Sequence, residues 1–420
     1  MFLCSRFLKR KREREMDDKR PFEYECHYTP KSDKFLKEGG HTKRFFCHYQ
    51  NIHRVPFKND PPEDHEQYRK EELDFERKGL TEKMVYRNMV SPSKKTPEPG
   101  NDIDDDILKN FFQDELFTTL QELEDFSRGY PIDFFGTSWR PRSTLSFGQL
   151  KLFLAVLQFL LYYTDPDEEV HVIYPGSAPG STLPLIFELF PMTYWYLYDP
   201  SSFDPRIKDY PNVIVQENEF FTVNTCKMLK RKLKGKTVLL ISDIRTLDPE
   251  VDDIKEDMER QKQWVETLHP DYAQLKFRSW SYFEDPDDKN FVYFDGVAYL
   301  QSYAKHHSAE IRLVVDGTDK EFKYKEWDGY KMENAVFLFN TLLRPAHYET
   351  RVKHWLLGHC HDCVSFIKLM QDYKKFGPRT PMKNMSATNL ITYVVDSIPG
   401  AEKKLLDFTN IWKKTYRELL

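Results

Sequence analysis

Six cysteines scattered over 420 residues exclude a disulfide framework of the kind that staples small secreted domains, and they point to a reducing compartment. No apolar run reaches membrane-spanning length: the longest, Leu152 to Tyr163, is broken by Gln158. No leader is recognisable, since the short apolar patch Met1 to Leu8 contains Arg6 and runs into Lys9-Arg10-Lys11-Arg12 instead of a cleavage site. A soluble, intracellular protein is expected. An excess of one charge is also missing, because 62 basic and 67 acidic side chains leave only −5. That excludes chain-wide polyelectrolyte binding and leaves any nucleic-acid contact to a local basic patch.

Length and aromatics are plentiful. The chain is long enough for one large core and a second, smaller folding unit. Aromatic residues at 15% suit base stacking, although most such rings belong in a core.

Residues 1–100 are rich in Lys, Glu, Asp and Pro without sustained periodicity, which predicts a polar, partly disordered arm. Within it Lys9 to Arg12 reads as a phosphate contact, an import signal or a solvated basic end. Cys26-His27-Tyr28 and Cys47-His48-Tyr49 lack the spacers of a zinc site. A linker at Pro92 to Pro99 precedes helical periodicity from Asp104 to Ser127, so residues 101–145 read as a helical lead-in.

Residues 146–317 read as the main domain. Ser146 opens an amphipathic helix with Leu150, Phe153, Val156 and Leu160 on its apolar side and Lys151 among them. Short β-rich runs follow at Val170 to Pro175, Trp195 to Tyr198, Val213 to Val215, Val238 to Ile241, Leu275 to Phe277, Phe291 to Phe294 and Ile311 to Val315. Helix-like spacers, notably Asn224 to Leu233 and Glu250 to Leu268, separate several of them. This alternation predicts an α/β fold with a mostly parallel, doubly wound sheet.

The first strand empties into Gly176-Ser177-Ala178-Pro179-Gly180, the position of a ligand loop at a strand's carboxyl end. Its glycines stand four apart instead of in the dinucleotide pattern. This favours S-adenosylmethionine over NAD, with a plain structural turn as the competing reading. Asp199 and Asp243 end later strands on the same side, where a carboxylate accepts ribose hydroxyls or caps the next helix. After Gly317 the pattern is helical to the end, giving a C-terminal extension over residues 318–420. His359-Cys360-His361-Asp362-Cys363 in that tail is an incomplete metal motif or a packing face.

Four ordered stretches, Gly148-Gln149-Leu150-Lys151-Leu152, Tyr174 to Gly180, Leu240 to Arg245, and Ser308 to Leu313, closely resemble the poxvirus cap-specific mRNA 2′-O-methyltransferases. Those proteins double as regulatory subunits of poly(A) polymerase. The resemblance covers roughly residues 146–345 and implies a Rossmann-like seven-stranded methyltransferase domain that uses S-adenosyl-L-methionine. It implies a catalytic set of Lys151, Asp243, Lys276 and Glu310, and donor contacts from Gln149, Tyr174, Gly176, Ser177, Gly180, Asp199 and Asp243. Pro200-Ser201 departs from the family's Gly-Arg.

The implied chemistry needs a base near neutral pH, and a second lysine plus burial would lower Lys276 beside Lys151. The implied substrate is m7G-capped mRNA. Downstream of Lys276, Trp280, Tyr282 and Glu284 offer one ring and one acid to the cationic guanine that the family holds between rings, at a spacing that departs from the family's phenylalanine and aspartate, with core or surface placement of these rings as the competing reading. Lys227, Lys230, Arg231, Lys232 and Lys234 offer phosphate contacts or a solvated helix face. A viral poly(A) polymerase catalytic subunit is an implied partner, no membrane is involved, and the implied location is the host cytoplasm (viral factory) or the virion. The alternatives are a non-catalytic RNA-binding processivity subunit and an rRNA or tRNA 2′-O-methyltransferase.

Overall fold

The β-branched and aromatic runs of the central region become strands because both of their faces are covered, as in parallel sheets packed by helices on each side. The computed structural model describes residues 116–127, 145–246, 251–279, 290–305, 308–344, 346–348 and 350–417. All belong to one unit formed by Asp104–Ile132 and Pro141–Leu420. The polar arm, its basic run, both Cys-His-Tyr triplets and the segment with Trp280, Tyr282 and Glu284 lie outside the described residues.

In chain order the elements are α1 (Leu120–Ser127), α2 (Gly148–Tyr163), β1 (Val170–Pro175), α3 (Leu183–Leu189), β2 (Thr193–Asp199), β3 (Val213–Glu217) and α4 (Val223–Lys232). There follow β4 (Thr237–Ser242), α5 (Val251–Leu268), β5 (Tyr272–Phe277), β6 (Asn290–Phe294), β7 (Val297–Tyr299), β8 (Ile311–Asp316) and β9 (Tyr324–Asp328). The C-terminal helices are α6 (Gly329–Leu338), α7 (His361–Phe376), α8 (Ala387–Ser397) and α9 (Ala401–Arg417). None of the described helices is long and apolar enough to cross a membrane.

Seven strands form the main sheet in the order β3-β2-β1-β4-β5-β8-β7, the seven-stranded Rossmann-like sheet that the resemblance implies. The first five are mutually parallel, while β8 runs antiparallel to β5 and β7 antiparallel to β8. Chain order reverses between β1 and β4, which opens a crevice at the carboxyl ends of those strands.

One expected strand sits elsewhere. Phe291 to Phe294 belongs to β6, which pairs with β9 in a separate two-stranded sheet. The three-residue β7 takes its place, a segment too short to show alternation. Of the expected helical stretch from Asp104 to Ser127, residues 104–115 lie outside the described residues; Thr119 bridges to Tyr299, and α1 covers Leu120–Ser127. The Glu122 carboxylate accepts from the Thr118 and Thr119 amides, and the Glu122 amide donates to Thr119 Oγ1, a capping arrangement at the start of α1.

Alternation along the strands assigns each side chain to a face. Val170, Val172, Tyr174, Trp195, Leu197, Leu239 and Ile241 join one core with α2, α7, α8 and α9, through Leu150, Phe153, Phe366, Leu390 and Leu405. The C-terminal helices therefore share their core with the sheet, each buried aliphatic side chain contributing roughly 1.5–3 kcal/mol. On the opposite face Phe221, just before α4, packs between Tyr198 of β2 and Trp264 of α5, with 5.0 Å between its ring centroid and each of theirs.

Candidate active site

Strand register explains how distant parts of the sequence converge. Ser242 pairs with Leu275, so Asp243 emerges level with Lys276 at the carboxyl end of β5. Because β8 runs antiparallel, Ile311 lies opposite Phe277 and Arg312 opposite Lys276. Glu310, just before β8, therefore reaches the same end of the sheet, on the same face as Arg312 two residues later. Helix α2 lies across this face: Gln274 Nε2 donates to the Ala155 carbonyl at 3.0 Å, which places Lys151, one turn earlier, above Lys276.

The four lysine and acid side chains meet there. Lys276 Nζ lies 3.1 Å from Asp243 Oδ1, donates to the Asp243 carbonyl at 3.1 Å, and lies 3.8 Å from Glu310 Oε2. Lys151 Nζ donates to Glu310 Oε1 at 3.2 Å. Burial disfavours the Lys151 ammonium and lowers its pKa, against the opposing pull of Glu310. Lys276 stands between the two acids, within reach of oxygens of both Asp243 and Glu310. Burial alone would raise both carboxyls. Arg312 and Lys276 nevertheless hold Asp243 below the usual carboxylate range, and Lys276 and Lys151 hold Glu310 well below it.

Three residues that the sequence reading missed complete the cluster. Arg312 is buried and donates to Asp243 Oδ1 at 2.5 Å, to Gln301 Oε1 at 3.0 Å and to the Ser242 carbonyl at 3.3 Å. Arg245 Nη2 donates to Glu310 Oε2 at 3.4 Å. Gln261 holds the Lys276 backbone from α5, its Nε2 donating to the Lys276 carbonyl at 3.0 Å and its Oε1 accepting the Lys276 amide at 3.1 Å. A signal for Gln261 was present. It interrupts the apolar stripe Ile254, Met258, Val265, and a buried polar group in such a stripe requires a partner.

Next to the cluster, β1 delivers the glycine loop. Gly176 has φ +78°, and a Cβ there would lie 2.7 Å from the Ile244 amide nitrogen. Only glycine lets the loops after β1 and β4 touch in this conformation. Gly180 has φ +63°. Ser177 Oγ donates to the Tyr174 carbonyl at 2.8 Å and closes the turn. Asp199 ties the loop to β2: Oδ2 accepts the Ala178 amide at 3.0 Å and Oδ1 the Ser201 amide at 2.8 Å. Each oxygen keeps a lone pair for a further donor. Gln149 Oε1 accepts from Ser181 Oγ at 2.7 Å, so the start of α2 borders the same loop. Tyr174 is buried beneath it, its phenol raised by burial and then by Asp243.

Two other sets of residues lie apart from this cluster. Lys227, Lys230, Arg231, Lys232 and Lys234 are exposed on and after α4. Because α4 feeds the amino end of β4, this basic run sits at the opposite end of the strand from Asp243. Among the described residues no group of three or more His, Cys, Asp or Glu is arranged to hold a metal ion. Cys360 and Cys363 are buried thiols at the start of α7, His361 Nε2 engages the Phe117 carbonyl at 2.7 Å, and Asp362 pairs with Arg344.

A curated relative, the "Cap-specific mRNA (nucleoside-2'-O-)-methyltransferase" of Fowlpox virus (strain NVSL), is 29% identical over 211 residues, covering 47% of this chain and 68% of its own. A solved structure of bluetongue virus VP4, titled as a multifunctional RNA-capping production line, shares 17% identity at a TM-score of 0.37. It aligns with 79% of this chain, which spans half of that one. The family described as Poly A polymerase regulatory subunit matches residues 132–351, just over half of the sequence, and the chain belongs to that family.

Proposed function

We propose that this protein methylates the ribose 2′-hydroxyl of the first transcribed nucleotide of m7G-capped mRNA, using S-adenosyl-L-methionine. The observation that carries this reading is the convergence of Lys151, Asp243, Lys276 and Glu310 beside the glycine loop of β1. The fowlpox relative's name supports the same chemistry.

The residues present fit the donor. The Gly176–Gly180 loop leaves its backbone open to close approach, and Asp199 offers lone pairs to a ribose diol. S-adenosylmethionine, when bound, supplies an electrophilic methyl group on a sulfonium. The chain's task is to aim a ribose hydroxyl in line with it and to take up the hydroxyl proton. Lys276, fixed by Asp243 and Glu310, orients the hydroxyl. Lys151 Nζ, whose ammonium burial disfavours, accepts the proton, and Glu310 steadies the cation that forms. Arg312 keeps Asp243 ionised so that its hold on Lys276 persists. A positioned base of this kind is worth about 10²–10⁴-fold in rate.

Glu333 on α6 adds an independent sign of a binding site. Its side chain is 3% exposed, and among the described residues its Oε1 has no hydrogen-bond partner within bonding distance and faces Arg278 Nε at 3.8 Å. Arg278 lies two residues before Trp280, in the stretch implied to hold the cap, and a buried acid is suited to the N–H edge of a cationic guanine. Burial pushes its pKa up to about 7. A raised acid stabilises the fold below its unfolded pKa and loses that contribution as pH rises through the folded value. Glu333→Gln is therefore expected to stabilise the protein at pH 8 by up to about 3 kcal/mol, with no gain near pH 4. Urea unfolding at both pH values checks this; equal stability of variant and wild type at pH 8 would contradict it.

The donor site has its own test. Gly176→Val should weaken S-adenosylhomocysteine binding at least tenfold by calorimetry while far-UV circular dichroism stays unchanged, because the side chain forces the loops after β1 and β4 apart. Unchanged affinity would place the donor elsewhere. For the reaction itself, labelled methyl transfer is expected to m7G-capped short RNA and not to the same RNA uncapped. A second role, as regulatory partner of a viral poly(A) polymerase catalytic subunit, is supported by the family description.

A further inference from the structure

The stretch Phe220 to Ser242 holds six basic residues and no acid, in a chain whose net charge is −5. Lys227, Lys230, Arg231, Lys232, Lys234 and Lys236 are all exposed. Among the described residues only Lys236 of these six has an ion-pair partner, Glu169 at 2.8 Å. The others are uncompensated cations. Lys227, Lys230 and Arg231 recur at helical spacing on α4 and form one stripe, and Lys234 follows in the turn after the helix.

Beside this stripe the sheet surface is aromatic. Lys232 Nζ sits 4.9 Å from the centroid of the Tyr196 ring. Tyr194, two residues earlier on the same face of β2, is 40% exposed and stacks on His171 with ring centroids 5.2 Å apart and planes 24° from parallel. Lys236 is within electrostatic reach of both phenols. Ile214, paired with Tyr196 across β3, extends the exposed apolar ledge. Uncompensated cations along one line, bordered by a ring whose face is backed by a second ring, fit a phosphate backbone with bases that stack. A wholly acidic peptide would use the cations and leave the rings idle.

We infer that the α4 stripe and the Tyr194 ledge form a second RNA site, for single-stranded RNA, at the amino ends of β1, β2 and β4. It is separate from the cleft at their carboxyl ends. Lys236 and Asp243 stand at opposite ends of β4, and at about 3.3 Å per residue the strand separates them by roughly 20 Å. The site needs neither donor nor cap, so it stands independently of the methyl-transfer reading.

The test is binding of a fluorescein-labelled, uncapped single-stranded oligoribonucleotide, followed by anisotropy over a series of salt concentrations. The triple variant Lys230→Ala/Lys232→Ala/Lys234→Ala should bind at least tenfold more weakly at low salt. Its slope of log affinity against log salt should flatten by about 2, as expected when three phosphate contacts are lost from a single strand. Tyr194→Ala should lose at least fivefold with an unchanged slope, because stacking is not ionic. S-adenosylhomocysteine affinity should be unaltered in both variants, so that failure of this site is distinguishable from failure of the donor site. Wild-type affinity and slope in the triple variant would overturn the inference. So would polyglutamate binding as tightly as the RNA, which would make the stripe a docking face for acidic protein.

Discussion

Lys276→Ala and Lys151→Ala should each lower kcat/KM for methyl transfer to capped RNA by at least 10³-fold, while S-adenosylhomocysteine binds both variants with wild-type affinity. The two lysines sit on opposite oxygens of Glu310, so removing either disrupts positioning and proton transfer together. The pH dependence separates their roles. Wild-type rate should rise with pH and level off below the ordinary lysine range, because burial lowers the Lys151 ammonium. Glu310 works against that lowering. Glu310→Gln should therefore move the plateau to lower pH as well as reduce its height. A plateau in Glu310→Gln at the wild-type pH or above would remove Lys151 from the role of proton acceptor.

The largest loss of stability is expected from Asp362→Ala. Asp362 and Arg344 are almost fully buried, with Arg344 Nη2 2.7 Å from Asp362 Oδ2 and Nε 3.1 Å from Oδ1. Asp362 Oδ2 also accepts the Tyr303 amide at 3.1 Å, and the Tyr303 carbonyl accepts the Phe147 amide at the start of α2. Removing the carboxylate leaves a guanidinium buried without its counter-charge, which costs about 3–5 kcal/mol. Urea unfolding should show a drop in midpoint of that size. The double variant Arg344→Met/Asp362→Leu should recover part of it, because the stranded charge is gone, though the Tyr303 amide still lacks its acceptor. A single variant within about 1 kcal/mol of wild type would contradict this account.

Much of the fold was legible because parallel strands buried on both faces read as unbroken apolar runs. β1, β2 and β4 were found that way, β5 from the short Leu275-Lys276-Phe277 segment, and α2 by its apolar stripe. The β-branched and aromatic composition of Phe291 to Phe294 identifies a strand and says nothing about its partner, and β7 is too short to stand out at all. The site shows the same division. Lys151, Asp243, Lys276 and Glu310 could be named from ordered motifs. Arg312 and Gln261 could not, because their importance depends on the antiparallel register that sets Arg312 opposite Lys276 and on the α5 face that meets its backbone. The basic run after Asn224 was visible as charge, but only strand direction reveals that it faces away from the cleft.

The central claim concerns where a methyl group is placed. Purified protein should be incubated with labelled S-adenosylmethionine and short m7G-capped RNA, and the product digested with nucleases that leave the cap and first nucleotide intact. The account predicts that all transferred label is recovered as 2′-O-methylribose on the first transcribed nucleotide. Label on an internal nucleotide or on a base, or no transfer by a protein that binds S-adenosylhomocysteine, would contradict it.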